Sequence, residues 1–258
     1  MSELVLVEDA GGIRTIRFNR PDKKNALTRA MYSAAANALE DGEADKSIRV
    51  FIITGTDGIF TAGNDIVDFM EAPPHIGGED TPPVENFMRA LATAKKPVVA
   101  AVDGLAIGIG VTMLMHCDIV YASDRATFKT PFVDLALAPE FGSSQMMPSM
   151  FGHVVAADLL MLGSTWDAAT ADKHGLINGV TAPDALEGKA RAAASTMAAK
   201  APGALRKAKE LMKRPEEDLF DRIRLEGGMF AELLRSEEFA EAATAFMERR
   251  APDFAKFG

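Results

Sequence analysis

The chain has 258 residues, 48% of them hydrophobic, with 37 acidic against 28 basic side chains and a formal net charge of −9. Such a composition builds a sizeable core rather than a disordered chain, and its negative balance argues against non-specific binding to nucleic acid or an anionic membrane, both polyanions. A single cysteine, Cys117, and four scattered histidines leave no internal disulfide, thiolate cluster or histidine-rich zinc site, so the expected chemistry uses no metal.

In chain order, Leu4 to Val7 and Ile13 to Phe18 flank Gly11-Gly12 and predict an opening hairpin. Met1 to Ala10 lacks a basic segment followed by an apolar block, so no secretory signal is expected. Thr28 is placed to cap a helix running to about Glu40, whose buried face carries Met31, Ala35 and Leu39 in step with Leu27. Val50 to Thr54, Val98 to Val102 and Ile119 to Ala122 read as short strands separated by helical patterns. That alternation implies right-handed crossovers, a largely parallel sheet and ligands at the strand-to-helix turns. Ala72 to Pro83, rich in Pro and Gly, reads as a mobile loop beside the site. Leu105 to Met115 is the longest apolar stretch and falls well short of the roughly 20 residues that span a bilayer. From Ser143 to Met247 the pattern is mostly helical, with at most one short strand near Ile177 to Val180. Composition shifts near Asp184, where Ala, Lys, Arg and Glu take over, and Ile223, Phe230, Leu233 and Leu234 then need a surface to pack on. Phe254 to Gly258 carries neither a peroxisomal tripeptide nor a prenylation box, so a cytoplasmic address is the expectation.

Three segments carry chemistry. Phe60-Thr61-Ala62-Gly63-Asn64-Asp65-Ile66 follows a strand, and its glycine permits a turn that presents successive amides. Asp103-Gly104-Leu105-Ala106-Ile107-Gly108-Ile109-Gly110 also follows a strand and leads into a helix from about Val111, aiming N–H groups at an anion or a developing oxyanion. It is not a dinucleotide fingerprint, because Met113 stands where the third glycine would fall. In the third segment, Thr130 to Ser144, one carboxylate, Glu140, stands among Pro, Phe and Ala, surroundings that raise a carboxyl's pKa toward that of a general base. Lys95, Lys96, Lys207 and Lys209 read as solvated charges, Trp166 as a packing anchor, and His116 and His153 as hydrogen-bonded structural residues.

Asn19-Arg20-Pro21 with Asn25-Ala26-Leu27, Gly63-Asn64-Asp65, Lys96-Pro97 through Gly110, Cys117-Asp118 and Pro131 through Ser144 occur in an order that resembles the enoyl-CoA hydratase/isomerase (crotonase) superfamily over nearly the whole chain. Ser123 to Phe128, Thr130 to Phe132 and Pro139 to Ser144 are most similar to the Δ3-Δ2-enoyl-CoA isomerases of peroxisomal type. The resemblance implies an α/β crotonase (ClpP-like) spiral of ββα units over residues 1–183, holding the acyl-CoA site. A helical region, 184–258, would serve trimerisation and cover the site. It implies a homotrimer or dimer of trimers, and no cofactor beyond the coenzyme A of the thioester substrate. By the same resemblance the Asn64 and Ile109 N–H groups polarise the thioester carbonyl and Glu140 is the single base. The two positions where hydratases carry glutamates hold Thr112 and Phe132, which are expected only to fill space. Coenzyme A would be held by Lys24, by main-chain groups of Ala62, Gly63, Asn64, Asp65 and Ile66, and by Phe246 and Arg249 from a neighbouring subunit. Moving a double bond from the 3 to the 2 position of an enoyl-CoA, in fatty acid β-oxidation, is the implied reaction. Hydration of an enoyl-CoA, another reaction on an acyl-CoA, or acyl-CoA binding without catalysis are the alternatives.

Overall fold

The computed structural model describes residues 3–78 and 80–257. Gly11 and Gly12, at φ of 61° and 75°, turn β1 (Val5–Ala10) back onto β2 (Ile13–Phe18) as a two-residue hairpin, the geometry glycine makes accessible. Thr28 caps α1 (Arg29–Ala44) by accepting the Met31 N–H at 3.4 Å, and the helix buries Met31, Ala35 and Leu39 as its spacing predicts, together with Tyr32. There follow β3 (Val50–Gly55), α2 (Ile66–Glu71), α3 (Pro83–Ala92), β4 (Val98–Val102), β5 (Leu105–Ile107) and α4 (Ile109–Thr112). After them come β6 (Ile119–Ser123), β7 (Thr127–Lys129), α5 (Ser143–Phe151), α6 (His153–Leu160), β8 (Thr165–Asp167) and α7 (Ala168–Lys173). The chain closes with β9 (Val180–Thr181), α8 (Pro183–Ala198), α9 (Pro202–Met212), α10 (Leu219–Leu233) and α11 (Glu237–Glu248).

A six-stranded sheet runs β1-β2-β3-β4-β6-β9, parallel except at the opening hairpin, beside a three-stranded sheet β5-β7-β8. β4 and β6 of the large sheet are each followed by a strand of the small sheet, β5 and β7, before a helix returns, the repeat of the expected α/β spiral of ββα units. Phe51 and Ile53 of β3 face the main core with α1, while Val50 and Ile52 face α8 through Leu186, Ala190 and Ala194. Burial on both faces explains why β3 and β4 read as continuous apolar runs instead of alternating ones. Residues 184–258 thus begin with a helix that seals this sheet, whereas α10 has no buried residue and exposes Leu219, Phe220, Ile223 and Phe230. No helix among the described residues is long and apolar enough to cross a membrane.

Several expectations need correction. The helical stretch after Ser143 contains two short strands, because burial of Trp166 draws β8 onto β7 opposite Phe128. The helix after the Gly-rich turn starts at Ile109 and is one turn long, passing into a tighter 3-10 turn at Met113–His116. Lys96 and Lys209 are not solvated: both are buried. Lys96 donates to the carbonyls of Gly42 (2.6 Å) and Asp45 (2.7 Å), and Lys209 to the Lys96 carbonyl (2.8 Å) and the Asp118 carboxylate (2.6 Å). Both ammonium heads replace water with fixed acceptors, which is what permits their burial. His153 is exposed and makes no side-chain hydrogen bond among the described residues, whereas His116 bonds the Phe141 carbonyl at 2.9 Å as a structural residue. Trp166 is a packing anchor whose indole N–H donates to Asp158.

Candidate active site

Two isolated bridges assemble the centre from the turns between elements. Thr61 pairs with Ala106: its N–H donates to the Leu105 carbonyl at 2.8 Å, and its carbonyl accepts from Ile107 at 3.1 Å. Leu27 pairs with Asn64, donating to the Gly63 carbonyl (2.8 Å) and accepting from Asp65 (2.9 Å). In such a parallel bridge the Asn64 N–H points away from Leu27, and it finds no acceptor among the described residues; nor does that of Ile109, which opens α4. The turn and the helix start thus converge two unpartnered main-chain donors, each just beyond the Thr61–Ala106 bridge.

Gly63 is what lets these segments meet. It sits at φ 85°, and a Cβ there would fall 2.6 Å from the Ile107 carbonyl oxygen. Gly63→Ala is expected to destabilise the fold by roughly 2 kcal/mol or more and to displace Asn64, lowering turnover; urea denaturation and activity measured side by side check this.

Glu140 comes to the same place from the third segment. Past the 3-10 turn Val133–Leu135 its own carbonyl accepts from the Ser143 N–H (3.1 Å) and hydroxyl (2.7 Å). Its Oε1 accepts a hydrogen bond from the Thr112 hydroxyl of α4, while Oε2 is buried with no partner among the described residues. Burial pushes the carboxyl from an ordinary 4.5 to about 7, the Thr112 hydrogen bond pulling the other way. Between those two values the unfolded chain ionises and the folded one resists, so stability falls as pH rises and the full penalty stands above about 7, an amount of roughly 3 kcal/mol. Glu140→Gln is therefore expected to be the more stable protein by up to ~3 kcal/mol at about pH 8 and equal to the parent at about pH 4. Denaturation midpoints at the two pH values measure that gap.

The surroundings tie the turns down. Arg20 bonds Asp65 at 2.6 Å and the Ala26 carbonyl at 3.0 Å, and Asp65 caps α2 through the Val67 and Asp68 amides. Asn25, wholly buried, donates to the Ile59 carbonyl at 2.6 Å. Lys24 takes a left-handed φ of 52°, and its carbonyl accepts the Ala62 N–H at 2.9 Å, while its ammonium makes no ion pair among the described residues. With the N–H groups of Ala62, Gly63 and Asp65 engaged, the Ala62 carbonyl and the Ile66 N–H, besides Asn64, are the main-chain groups of this turn without a partner among the described residues.

The structure thus gathers Lys24, residues 62–66, Ile109 and Glu140. Phe246 and Arg249 lie on α11 and at its left-handed cap, exposed and without a polar side-chain contact to any of them. Two residues enter that sequence reasoning missed. Thr112 was expected only to fill space and instead bonds Glu140, whereas Phe132 is a buried filler as expected. Tyr32 of α1 donates to the Asn64 side-chain oxygen, and burial drives its phenol well above the ordinary value, so it stays a donor. For Thr112 a signal existed: it lies one helical turn after Ile109 and so shares its face. Cys117 is no rival nucleophile, since burial pushes its thiol up to about 12.

A profile of the family described as enoyl-CoA hydratase/isomerase matches residues 8–256. The chain is 34% identical over 254 residues to a protein of Mus musculus named "Enoyl-CoA delta isomerase 3, peroxisomal", covering 97% of this chain and 80% of that one. It is also 34% identical over 256 residues to a protein of Rhizobium meliloti named "Probable enoyl-CoA hydratase", covering 98% of both. Among solved structures, one from Magnetospirillum magneticum AMB-1, described provisionally as an enoyl-CoA hydratase/carnithine racemase, is 49% identical with a TM-score of 0.95, covering 99% of this chain and all (100%) of that one.

Proposed function

Because the chain belongs to the enoyl-CoA hydratase/isomerase family, we propose that within it this protein is the isomerase, moving a double bond from the 3 to the 2 position of an enoyl-CoA in β-oxidation. Glu140 carries the reading: one buried, partly bare carboxyl lifted to about 7, linked through Thr112 to the helix that opens at the Ile109 amide. A group so tuned is about half ionised near neutral pH and basic enough to take a proton. Thr112, which bonds Glu140, and the buried Phe132 cannot hold and split a water as a second carboxylate would.

The reaction follows as a one-base shuttle. Glu140 removes a proton from C2 of the 3-enoyl thioester, and the electron pair moves toward the thioester oxygen. The Asn64 and Ile109 N–H groups receive that developing charge, each such donor contributing roughly 3 to 4 kcal/mol. The protonated Glu140 then returns the proton at C4, leaving the 2-enoyl thioester, and nothing is consumed. Coenzyme A arrives as part of the substrate and needs no separate cofactor. The Ala62 carbonyl and the Ile66 N–H, both without a partner among the described residues, and the Lys24 ammonium would hold it. Exposed Phe246 and Arg249 fit a contribution to a neighbouring subunit's site in a homotrimer or dimer of trimers.

Incubating the purified protein with 3-enoyl and 2-enoyl thioesters tests the assignment. Conversion of the first without hydration of the second is the expected result, and hydration of the second with no conversion of the first overturns it. Hydration is the alternative reading, favoured by the relatives named hydratase at the same 34% identity.

A further inference from the structure

Glu140 has two carboxylate oxygens, and the chain treats them differently. Thr112, at the end of α4 with no exposed surface, donates its hydroxyl proton to Oε1, whereas Oε2 is buried and bare among the described residues. Resting on the reading of Glu140 as the base, we propose that Thr112 is a positioning residue that reserves Oε1 and makes Oε2 the one oxygen that carries the proton at both C2 and C4.

The steps balance on that atom. At C2 the C–H bond breaks and an Oε2–H bond forms, while the electron pair moves into the C1–C2 bond and onto the thioester oxygen. In the return step Oε2–H breaks and C4–H forms, the carbonyl is restored and the double bond stands at C2–C3. Throughout, Oε1 remains an acceptor, as a carboxylate oxygen first and as the carbonyl oxygen of the acid second, so the Thr112 hydroxyl keeps one orientation. The carboxyl has no need to rotate between the two transfers. A hydrogen bond donated to the ionised form also favours it, so Thr112 offsets part of the upward push of burial.

Thr112→Val keeps the side chain's shape and deletes the donor; Thr112→Ser keeps the donor and trims a methyl. For Val, the midpoint of the kcat/KM pH profile is expected to move up by about one pH unit and kcat to fall about tenfold, with KM within about twofold of the parent. Ser is expected to restore both. Carbon-13 NMR of labelled glutamate carboxyls in the ligand-free protein, with the Glu140 signal identified by its loss in Glu140→Gln, should show the same upward move; Thr112→Ala replaces Val in the comparison if Val unfolds. A parent-like midpoint and kcat in the donor-less variant, or a failure of Ser to restore what Val loses, overturns the proposal. The NMR titration needs no turnover, so it is distinguishable from failure of the base assignment, which would show as full activity in Glu140→Gln.

Discussion

Glu140→Gln is expected to lower kcat for 3-enoyl-CoA isomerisation on the order of 100- to 10,000-fold while leaving acyl-CoA affinity nearly unchanged. The substitution is close to isosteric and removes only the ability to take and return a proton. The Asn64 and Ile109 amides belong to the main chain and survive it, so a residual rate above that in water should remain. The same change relieves a buried carboxylate and is expected to make the protein more stable above neutral pH, so the denaturation midpoints separate a loss of chemistry from misfolding. In the parent, kcat/KM should fall as pH drops through about 7, where the base takes up its proton in the free enzyme. Turnover assays together with calorimetric binding of a saturated acyl-CoA check the prediction; unchanged turnover with intact binding would remove Glu140 as the base, whereas binding without any turnover in the parent would favour a non-catalytic acyl-CoA binder.

Lys209→Met should give the largest loss of stability, about 3 to 5 kcal/mol, because it strands a buried carboxylate. The Lys209 and Asp118 side chains are only 5% and 13% exposed, and Asp118 Oδ2 sits 2.6 Å from the ammonium. The same oxygen accepts the Val98 N–H at 2.8 Å, so the ion pair fastens α9 to the first residue of β4. Without Lys209 that oxygen keeps Val98 as its sole partner among the described residues. Adding Asp118→Asn should recover part of the loss, because the stranded charge is then gone. The pair lies at the start of β4 and the Gly-rich turn leaves from its other end, so kcat should be retained at temperatures where the variant stays folded. Urea denaturation of the single and double variants decides this, and a loss below about 1 kcal/mol would place Lys209 among ordinary surface pairs.

What could be read in the sequence was what depends on neighbours along the chain. The Gly11-Gly12 hairpin, the Thr28 cap, and the apolar runs of β3, β4 and β6 are local signals, and each lies within a residue or a few of its expected place. Two of the three turns at the site were legible for the same reason, since glycines at 63 and 108 mark backbone of positive φ, and the third through the lone Glu140 among apolar neighbours. Contacts across the fold were not. Lys96 and Lys209 look like any other lysines until the Gly42, Asp45 and Asp118 oxygens, from 51 to 91 positions away, are brought to them. The Thr112–Glu140 bond spans 28 positions and the Tyr32–Asn64 bond 32, and although helical spacing puts Thr112 on the face of Ile109, no periodicity names the partner of either. β8 escaped because three residues cannot establish an alternation, and its strand exists through pairing with β7.

That the two unpartnered donors belong to peptide backbone has an evolutionary consequence. Backbone N–H groups persist through almost any exchange of residue, so inheritance can alter the side chains at 64 and 109 without erasing the two donors. If the two donors activate a thioester as proposed, selection is free to redraw the remainder of the pocket, swapping a threonine for a carboxylate or the reverse, in lineages that never pass through a form unable to do so.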